Sequence, residues 1–372
     1  MDHRADLRRL AIALFAFGGA VLLAQRIESV NLGPTPPPRV NPDLSVTYFL
    51  NAPNATEVRL GDTVFAPLLP GIPMTKGPDG MWSATTPPYE LGTHFYGFLV
   101  DGVTTGDIGG TARTDRMPRG NVFFESVDVR GPEPLFTDIR KVPHGTVHIE
   151  TFSSTALDRE VRCLVYTPPG FVAGERLPIV YLLHGTVDYE GSWSNIGYAE
   201  RIADNLIAGG QARRVILAMP DTGTSNRDTL TQQVVEPYLI PEVIPFVEGA
   251  YLPSGPAAER YLIGYSTGAL HTRYTGLRNP SLFSGLGLFS GGGLVAGQVL
   301  EDLFPALRQP ELYRHMTPIY FAVGNEDTAA PNIQRLVESL NRLAIPNSLT
   351  ITSGGHTWFN WRRYLAEFLK GI

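Results

Sequence analysis

The pentapeptide Gly264-Tyr265-Ser266-Thr267-Gly268 follows the apolar run Tyr261-Leu262-Ile263 and opens a helix-compatible stretch from Ala269 to Leu277. A serine at a sharp strand-to-helix turn sits in strained backbone, and small residues two positions to either side let the chain fold tightly around it. Such a turn lifts the hydroxyl above a sheet. It also aims the next backbone N–H, here that of Thr267, at the place where an oxyanion would form. A Gly-x-Ser-x-Gly match also occurs in ordinary turns, so its meaning depends on the residues downstream of it.

A serine hydroxyl is a poor nucleophile without a base, and the base needs a third group to orient it; on this kind of turn the chain order is serine, acid, histidine. The apolar run Ile319-Tyr320-Phe321-Ala322-Val323 leads into Gly324-Asn325-Glu326-Asp327, and Leu349-Thr350-Ile351 leads into Thr352-Ser353-Gly354-Gly355-His356. Taken singly, Asp327 reads as the cap of a helix near Pro331 and His356 as an ordinary loop histidine. In this order and at strand ends, the three predict a triad of Ser266, Asp327 and His356, with Glu326 as the fallback acid. A second oxyanion donor is expected after an earlier strand. The run Pro178 to Leu183 ends in His184-Gly185-Thr186, which assigns that donor to the Thr186 backbone with Gly185 as runner-up. His184 precedes the serine, so its expected role is structural.

From about Val142 onward the chain resembles the feruloyl esterase and enterochelin esterase branch of the α/β-hydrolases, the esterase D-like family. The resemblance rests on Val142-Pro143-His144-Gly145-Thr146-Val147, Tyr166-Thr167-Pro168-Pro169-Gly170, Tyr181-Leu182-Leu183-His184-Gly185, Gly191-Ser192-Trp193 and Ala203-Asp204-Asn205-Leu206-Ile207. It continues in Met219-Pro220-Asp221, Leu277-Arg278-Asn279-Pro280 and Gly354-Gly355-His356. The family usually reads Gly-x-Ser-Met-Gly-Gly at the elbow, where this chain has Gly264-Tyr265-Ser266-Thr267-Gly268-Ala269. The departure keeps the oxyanion N–H and alters the wall beside it. The resemblance implies an α/β fold with a mostly parallel sheet. It also implies hydrolysis of a hydroxycinnamoyl or acyl ester of a carbohydrate, with a siderophore trilactone as the competing substrate. A trilactone would call for basic residues near the pocket, and the nearby loops show few beyond Arg227 and Arg362. Trp193, Tyr265 and Trp358 neighbour the predicted site and are candidates for an aromatic acyl pocket, with buried packing as the other reading. On sequence alone, acyl transfer to a sugar and a non-catalytic binding role remain open.

The 372 residues, 43% of them hydrophobic and 18% charged, are enough for two domains with full cores, and the net charge of −6 gives no basic field for nucleic acid. No phosphate-cradling loop is present, and Gly291-Gly292-Gly293 lacks the context of a dinucleotide site. His144 and His148 flank a turn-and-strand sequence instead of sharing a helix face, so neither a metal nor a cofactor is expected. Cys163 is the only cysteine, and its apolar neighbours make it a buried strand residue.

Arg4, Arg8 and Arg9 precede an apolar run from Leu10 to Ala24, the pattern of an export signal (residues 1–25) or, alternatively, a membrane anchor. A Pro-rich linker is expected over 26–43. Short strand-like runs separated by turn signals over 44–130 predict a small all-β sandwich, which resembles Ig-like early-set modules related to glycogen-binding domains through Asn51-Ala52-Pro53-Asn54-Ala55 and Phe98-Leu99-Val100-Asp101-Gly102. Its aromatics Trp82, Tyr96 and Phe98 are expected to fill the core in preference to forming a sugar platform. A linker over 131–145, centred on Gly131-Pro132-Glu133-Pro134, then leads to the catalytic domain, 146–372.

Overall fold

A computed structural model describes residues 33–61, 71–105, 117–119, 122–131, 135–186, 188–222, 232–252 and 259–372. The expected signal segment, the first part of the Pro-rich stretch, residues 132–134 of the expected hinge and Arg227 lie outside them. Apart from the short strand Met117–Arg119, the described residues divide into one compact unit up to Arg130 and another from Gly131 on.

The first unit is all β. One sheet has the strand order Arg39–Val40, Val46–Asn51, Met81–Thr85, Thr75–Lys76; in the other, Ile72–Pro73, Val58–Gly61, Gly92–Val100 and Val122–Val129 are successive neighbours. Val46, Tyr48, Leu50, Leu60 and Val100 are fully buried, as are Tyr96 and Phe98 at 0% and 1% exposure; Trp82, at 6%, donates from its indole to the Ala52 carbonyl. These three aromatics are therefore core residues and offer no exposed face to a sugar. The Pro-rich stretch differs from the unpaired linker that the sequence predicts. The Gly33 N–H donates to the Asn51 carbonyl, the Thr35 hydroxyl accepts from the Asn51 N–H, and Arg39–Val40 pairs antiparallel with Val46–Thr47. Proline removes only its own N–H, so the residues between the prolines remain able to close an edge.

The second unit is built on an eight-stranded sheet: β1 Thr146–Ser154, β2 Arg159–Thr167, β3 Ile179–Leu183, β4 Ile216–Pro220, β5 Arg260–Tyr265, β6 Gly285–Phe289, β7 Ile319–Gly324 and β8 Ser348–Thr352, in the order β1-β2-β4-β3-β5-β6-β7-β8. β1 and β2 run antiparallel to their neighbours and all later pairs are parallel. The central strands β3 to β7 read as nearly continuous apolar runs because helices cover both faces. Ile179–Leu183, Ile216–Pro220 and Gly285–Phe289 are buried at every position. Cys163 is likewise buried, between β1 and β4 in the β2 ladder, and burial pushes its thiol well above the ordinary range.

On one face, the segment Gln232–Tyr251 and two later helices share an apolar cluster with the sheet. Helix α1, Ala199–Ala208, and the C-terminal helix pack together on the other. Of the two later helices, α2 is Thr267–Arg278 and α3 is Ala330–Arg342, the latter burying Ala330, Ile333, Leu336, Val337 and Leu340 at helical spacing. The C-terminal helix, α4, is Trp358–Lys370.

The stretch 135–145 is also no free linker. Asp204 of α1 accepts from the Gly145 N–H at 2.9 Å and the Tyr166 hydroxyl at 2.7 Å through Oδ1, and its Oδ2 lies 2.9 Å from His144 Nδ1. Asn205 donates to the carbonyls of Phe136 and Asp138. One short helix thus anchors the whole approach to β1, and His144 is structural, as its sequence context indicates. His148 bonds separately to Thr167 Oγ1. Replacing Asp204 with alanine strands the Tyr166 hydroxyl and the Gly145 N–H, so urea unfolding of Asp204→Ala should show a loss of about 2–4 kcal/mol.

Candidate active site

The C-terminal ends of the parallel strands lie level in the ladder: Leu183 pairs with Gly264, Tyr265 with Phe289 and Gly324 with Thr352. The loops after β3, β5, β7 and β8 therefore open onto one rim, and every sequence-predicted reactive residue lies on one of them.

Ser266 ends β5 and precedes α2 with φ 54° and ψ −121°, a conformation that non-glycine residues adopt only when their surroundings impose it. Two glycines impose it here. A Cβ on Gly264 would lie 2.2 Å from the Gly268 carbonyl, and one on Gly268 would lie 2.4 Å from the Leu183 carbonyl. The first contact closes the turn on itself, and the second brings the start of α2 against the end of β3. The Ser266 N–H is used on the Phe289 carbonyl at 2.9 Å, which fixes the turn to β6 as well.

His356 Nε2 lies 3.0 Å from Ser266 Oγ, and its Nδ1 lies 2.9 Å from Asp327 Oδ2. The Asp327 side chain is 0% exposed, and its Oδ1 accepts from the Ala329 N–H at 2.9 Å. Burial raises the Asp327 carboxyl, but the hydrogen bond and charge of His356, with the Ala329 N–H, outweigh it and hold the group below the ordinary carboxylate range. The fallback acid is excluded by direction: Glu326 is exposed, and its backbone N–H donates to the Gly354 carbonyl at 3.1 Å. That bond, with the Asn325 N–H on the Thr352 carbonyl at 2.7 Å, ties the acid loop to the histidine loop.

Thr186 and Thr267 face each other across the rim, their hydroxyls hydrogen-bonded to one another. Among the described residues, neither of their backbone N–H groups has a backbone acceptor. The runner-up Gly185 is buried against the Tyr265 ring, with its N–H beside the Tyr265 hydroxyl. His184 is 3% exposed, lies 2.9 Å through Nδ1 from the Gly185 carbonyl and accepts the Thr222 N–H at Nε2, so it fixes this loop and does not reach the serine.

The aromatic-wall expectation is corrected. Trp193, Tyr265 and Trp358 are 1%, 1% and 3% exposed and pack on one another and on Trp361 beneath the nucleophile. Strand alternation explains Tyr265: with Tyr261 it points from β5 to the face that α4 covers. Trp193 is further held by its indole N–H on the Leu183 carbonyl at 3.1 Å. Arg362 is 4% exposed, donates to the Ile196 carbonyl at 2.7 Å and stacks on Tyr198, so its charge is not presented to a substrate.

Sequence reasoning missed the residues that hold His356 in place. The ring stands edge-on to Trp361 at 5.0 Å, and the Asn360 amide donates to the carbonyls of Ser353 and Gly355 at 3.2 and 3.0 Å. Both residues lie in the first turn of α4, which faces back onto the loop that enters it.

A mostly parallel sheet with a serine on the turn after β5, a carboxylate after β7 and a histidine after β8 defines an α/β-hydrolase. Within that class the chain belongs to the Esterase family, whose model matches residues 154–372. It is 29% identical over 317 residues to an endo-1,4-beta-xylanase/feruloyl esterase of Xylanibacter ruminicola; the match spans 81% of this chain and 41% of that protein, so the chain corresponds to about two fifths of the relative's length. Its fold is similar to that of the enterobactin esterase from Shigella flexneri in the presence of enterobactin, with a TM-score of 0.66 and 17% identity over 88% of this chain and 92% of that one. It is also similar to a ferulic acid esterase from Anaeromyces mucronatus in complex with ferulic acid, with a TM-score of 0.54 and 22% identity over 63% and 92%.

Asn360→Ala releases the carbonyls that shape the histidine loop. A shift of about 1 Å at a reacting group lowers turnover by up to roughly a hundredfold. For this variant kcat on a p-nitrophenyl ester should fall by at least tenfold with KM little changed, as steady-state kinetics will show.

Proposed function

We propose that this protein is a serine carboxylic-ester hydrolase that works through an acyl-enzyme, with hydroxycinnamoyl or acyl esters of carbohydrates as substrates. The observation that carries this reading is the position of His356, within hydrogen-bond reach of both Ser266 Oγ and the buried carboxylate of Asp327. Ser266 Oγ attacks the ester carbonyl as His356 Nε2 takes its proton. Asp327 orients the ring through Nδ1 and stabilises the imidazolium that forms. The N–H groups of Thr186 and Thr267 bind the oxyanion. His356 then returns the proton to the leaving alcohol, and water, activated by the same imidazole, releases the acid.

The substrate class rests on membership of the Esterase family and on what the relatives are: the Xylanibacter ruminicola protein is named a xylanase and feruloyl esterase, and the Anaeromyces mucronatus enzyme holds ferulic acid. A siderophore trilactone is less well supported, because Arg362 is buried in hydrogen bonds and stacking. The acyl-binding surface must come from residues other than the buried Trp193, Tyr265 and Trp358. The arginines and apolar run of residues 4–24 support export of the enzyme, with a membrane anchor as the other outcome of the same segment.

Residues 26–372 and their Ser266→Ala variant, tested on methyl ferulate, an acetylated sugar, short p-nitrophenyl esters and a catechol trilactone, decide the matter. Cleavage of the first two that falls by about 10⁴-fold or more in Ser266→Ala, with the melting temperature nearly unchanged, is expected. Serine-dependent cleavage confined to the trilactone would overturn the substrate assignment, and activity surviving Ser266→Ala would overturn the mechanism. Asp327→Asn should lose about 10⁴-fold in kcat by leaving the imidazole wrongly oriented, whereas Glu326→Gln should stay within twofold of the wild type in the same assay.

A further inference from the structure

Tyr265, the last residue of β5, makes one contact that its packing does not require. Its hydroxyl donates to Asp188 Oδ2. The Asp188 N–H reaches the Gly185 carbonyl at 3.3 Å, and Thr186 follows Gly185 directly. Gly185 rests on the same tyrosine: a Cβ on Gly185 would lie 2.8 Å from Tyr265 Cε2 and 3.3 Å from Ser266 Cβ. One buried side chain, covalently next to the nucleophile, thus touches both ends of the loop that bears the Thr186 N–H.

Asp188 is an expensive way to make such a contact. Among the described residues its buried Oδ1 has no hydrogen-bond partner, and burial pushes the carboxyl up to about 6, against the opposing pull of the Tyr265 and Ser192 hydroxyls and of the charges on His184 and His356. Those groups face it from the end of β3, from β5, from the helical turn at Ser192 and from the loop before α4. An asparagine would be cheaper to bury and would accept the same hydrogen bond more weakly, since a charge-assisted bond is about twice as strong as a neutral one. A carboxyl whose folded value lies above its unfolded value near 3.8 contributes stability at low pH that is lost as pH rises through about 6. The ionised group therefore opposes folding at the pH where an esterase with a neutral imidazole base works.

We propose that Asp188 and Tyr265 are positioning residues that clamp Gly185 and Asp188 to the nucleophile strand and so hold the Thr186 N–H at oxyanion distance from Ser266. The proposal rests on the serine-esterase reading above. The clamp acts on the transition state and not on the bound ester, so it governs kcat more than KM.

Wild type, Tyr265→Phe, Asp188→Asn and the double variant, assayed with a p-nitrophenyl ester from pH 5 to 9 alongside melting temperatures, test it. Tyr265→Phe should lower kcat about ten- to hundredfold with KM within twofold, part of the loss expected for an oxyanion donor. Asp188→Asn should lower kcat several-fold above pH 7 and converge on the wild type toward pH 5, while melting at a higher temperature than the wild type above pH 6. The double variant should lose no more than Tyr265→Phe alone, as two members of one contact do. A kcat within twofold of wild type in both single variants would overturn the proposal, as would losses that simply follow a fall in melting temperature. Ser266→Ala in the same series separates the two claims: if it retains activity, the serine mechanism itself fails, whereas an inactive Ser266→Ala beside fully active single variants removes only the clamp.

Discussion

The close approach of Gly268 to the end of β3 is the constraint on which the site depends. With no side chain at 268, the first turn of α2 lies against the carbonyls of Leu183 and His184. Thr186 and Thr267, far apart in sequence, are thereby brought together with their hydroxyls hydrogen-bonded to one another. The same contact leaves no room for Ser266 to relax from its positive φ, because the neighbouring glycine at 264 is closed against Gly268 from the other side. The strained turn at Ser266 and the meeting of Thr186 with Thr267 are therefore one packing event and not two separate features.

The remaining machinery is held by the sheet's register. β7 and β8 end level, and backbone hydrogen bonds from Asn325 and Glu326 lock the acid loop to the histidine loop, so the Asp327–His356 pair is set before the serine is considered. Beneath it, Trp193, Tyr265, Trp358 and Trp361 form a rigid aromatic floor. That floor spends its aromatic surface on packing, which leaves the substrate to be recognised by other residues on the rim. The aromatic residues that neighbour the site's loops in sequence are thus spent on the core.

Order and residue type made the hydrogen-bonded set of Ser266, His356 and Asp327 legible in the sequence. Serine on a glycine-flanked turn, then acid, then histidine, each after an apolar run, is a pattern that local composition carries by itself. The buried strands were legible for the same reason, since a strand covered on both faces must be apolar at every position. The role of Asn360 was not, because an asparagine in the first turn of a helix has no local mark that says which carbonyls it will meet. Nor was the burial of Arg362, whose partner Ile196 comes from a distant loop. The pairing of Gly33, Thr35 and Arg39–Val40 with the sandwich edge was hidden by their prolines, which argue locally against a ladder while leaving the intervening N–H groups free to join one.

The sequence by itself determined the fold class, the two-domain order, and which serine, aspartate and histidine are brought together, because these follow from periodicity, spacing and chain order. The tertiary structure put Asp327 and not Glu326 against His356, turned the Gly185 N–H to the Tyr265 hydroxyl, and placed Trp193, Tyr265 and Trp358 in the core. Each of those choices depends on which way a side chain or N–H points once strands lie side by side. Adjacent residues on a strand end point to opposite faces, so chain position names the candidates and only packing selects among them.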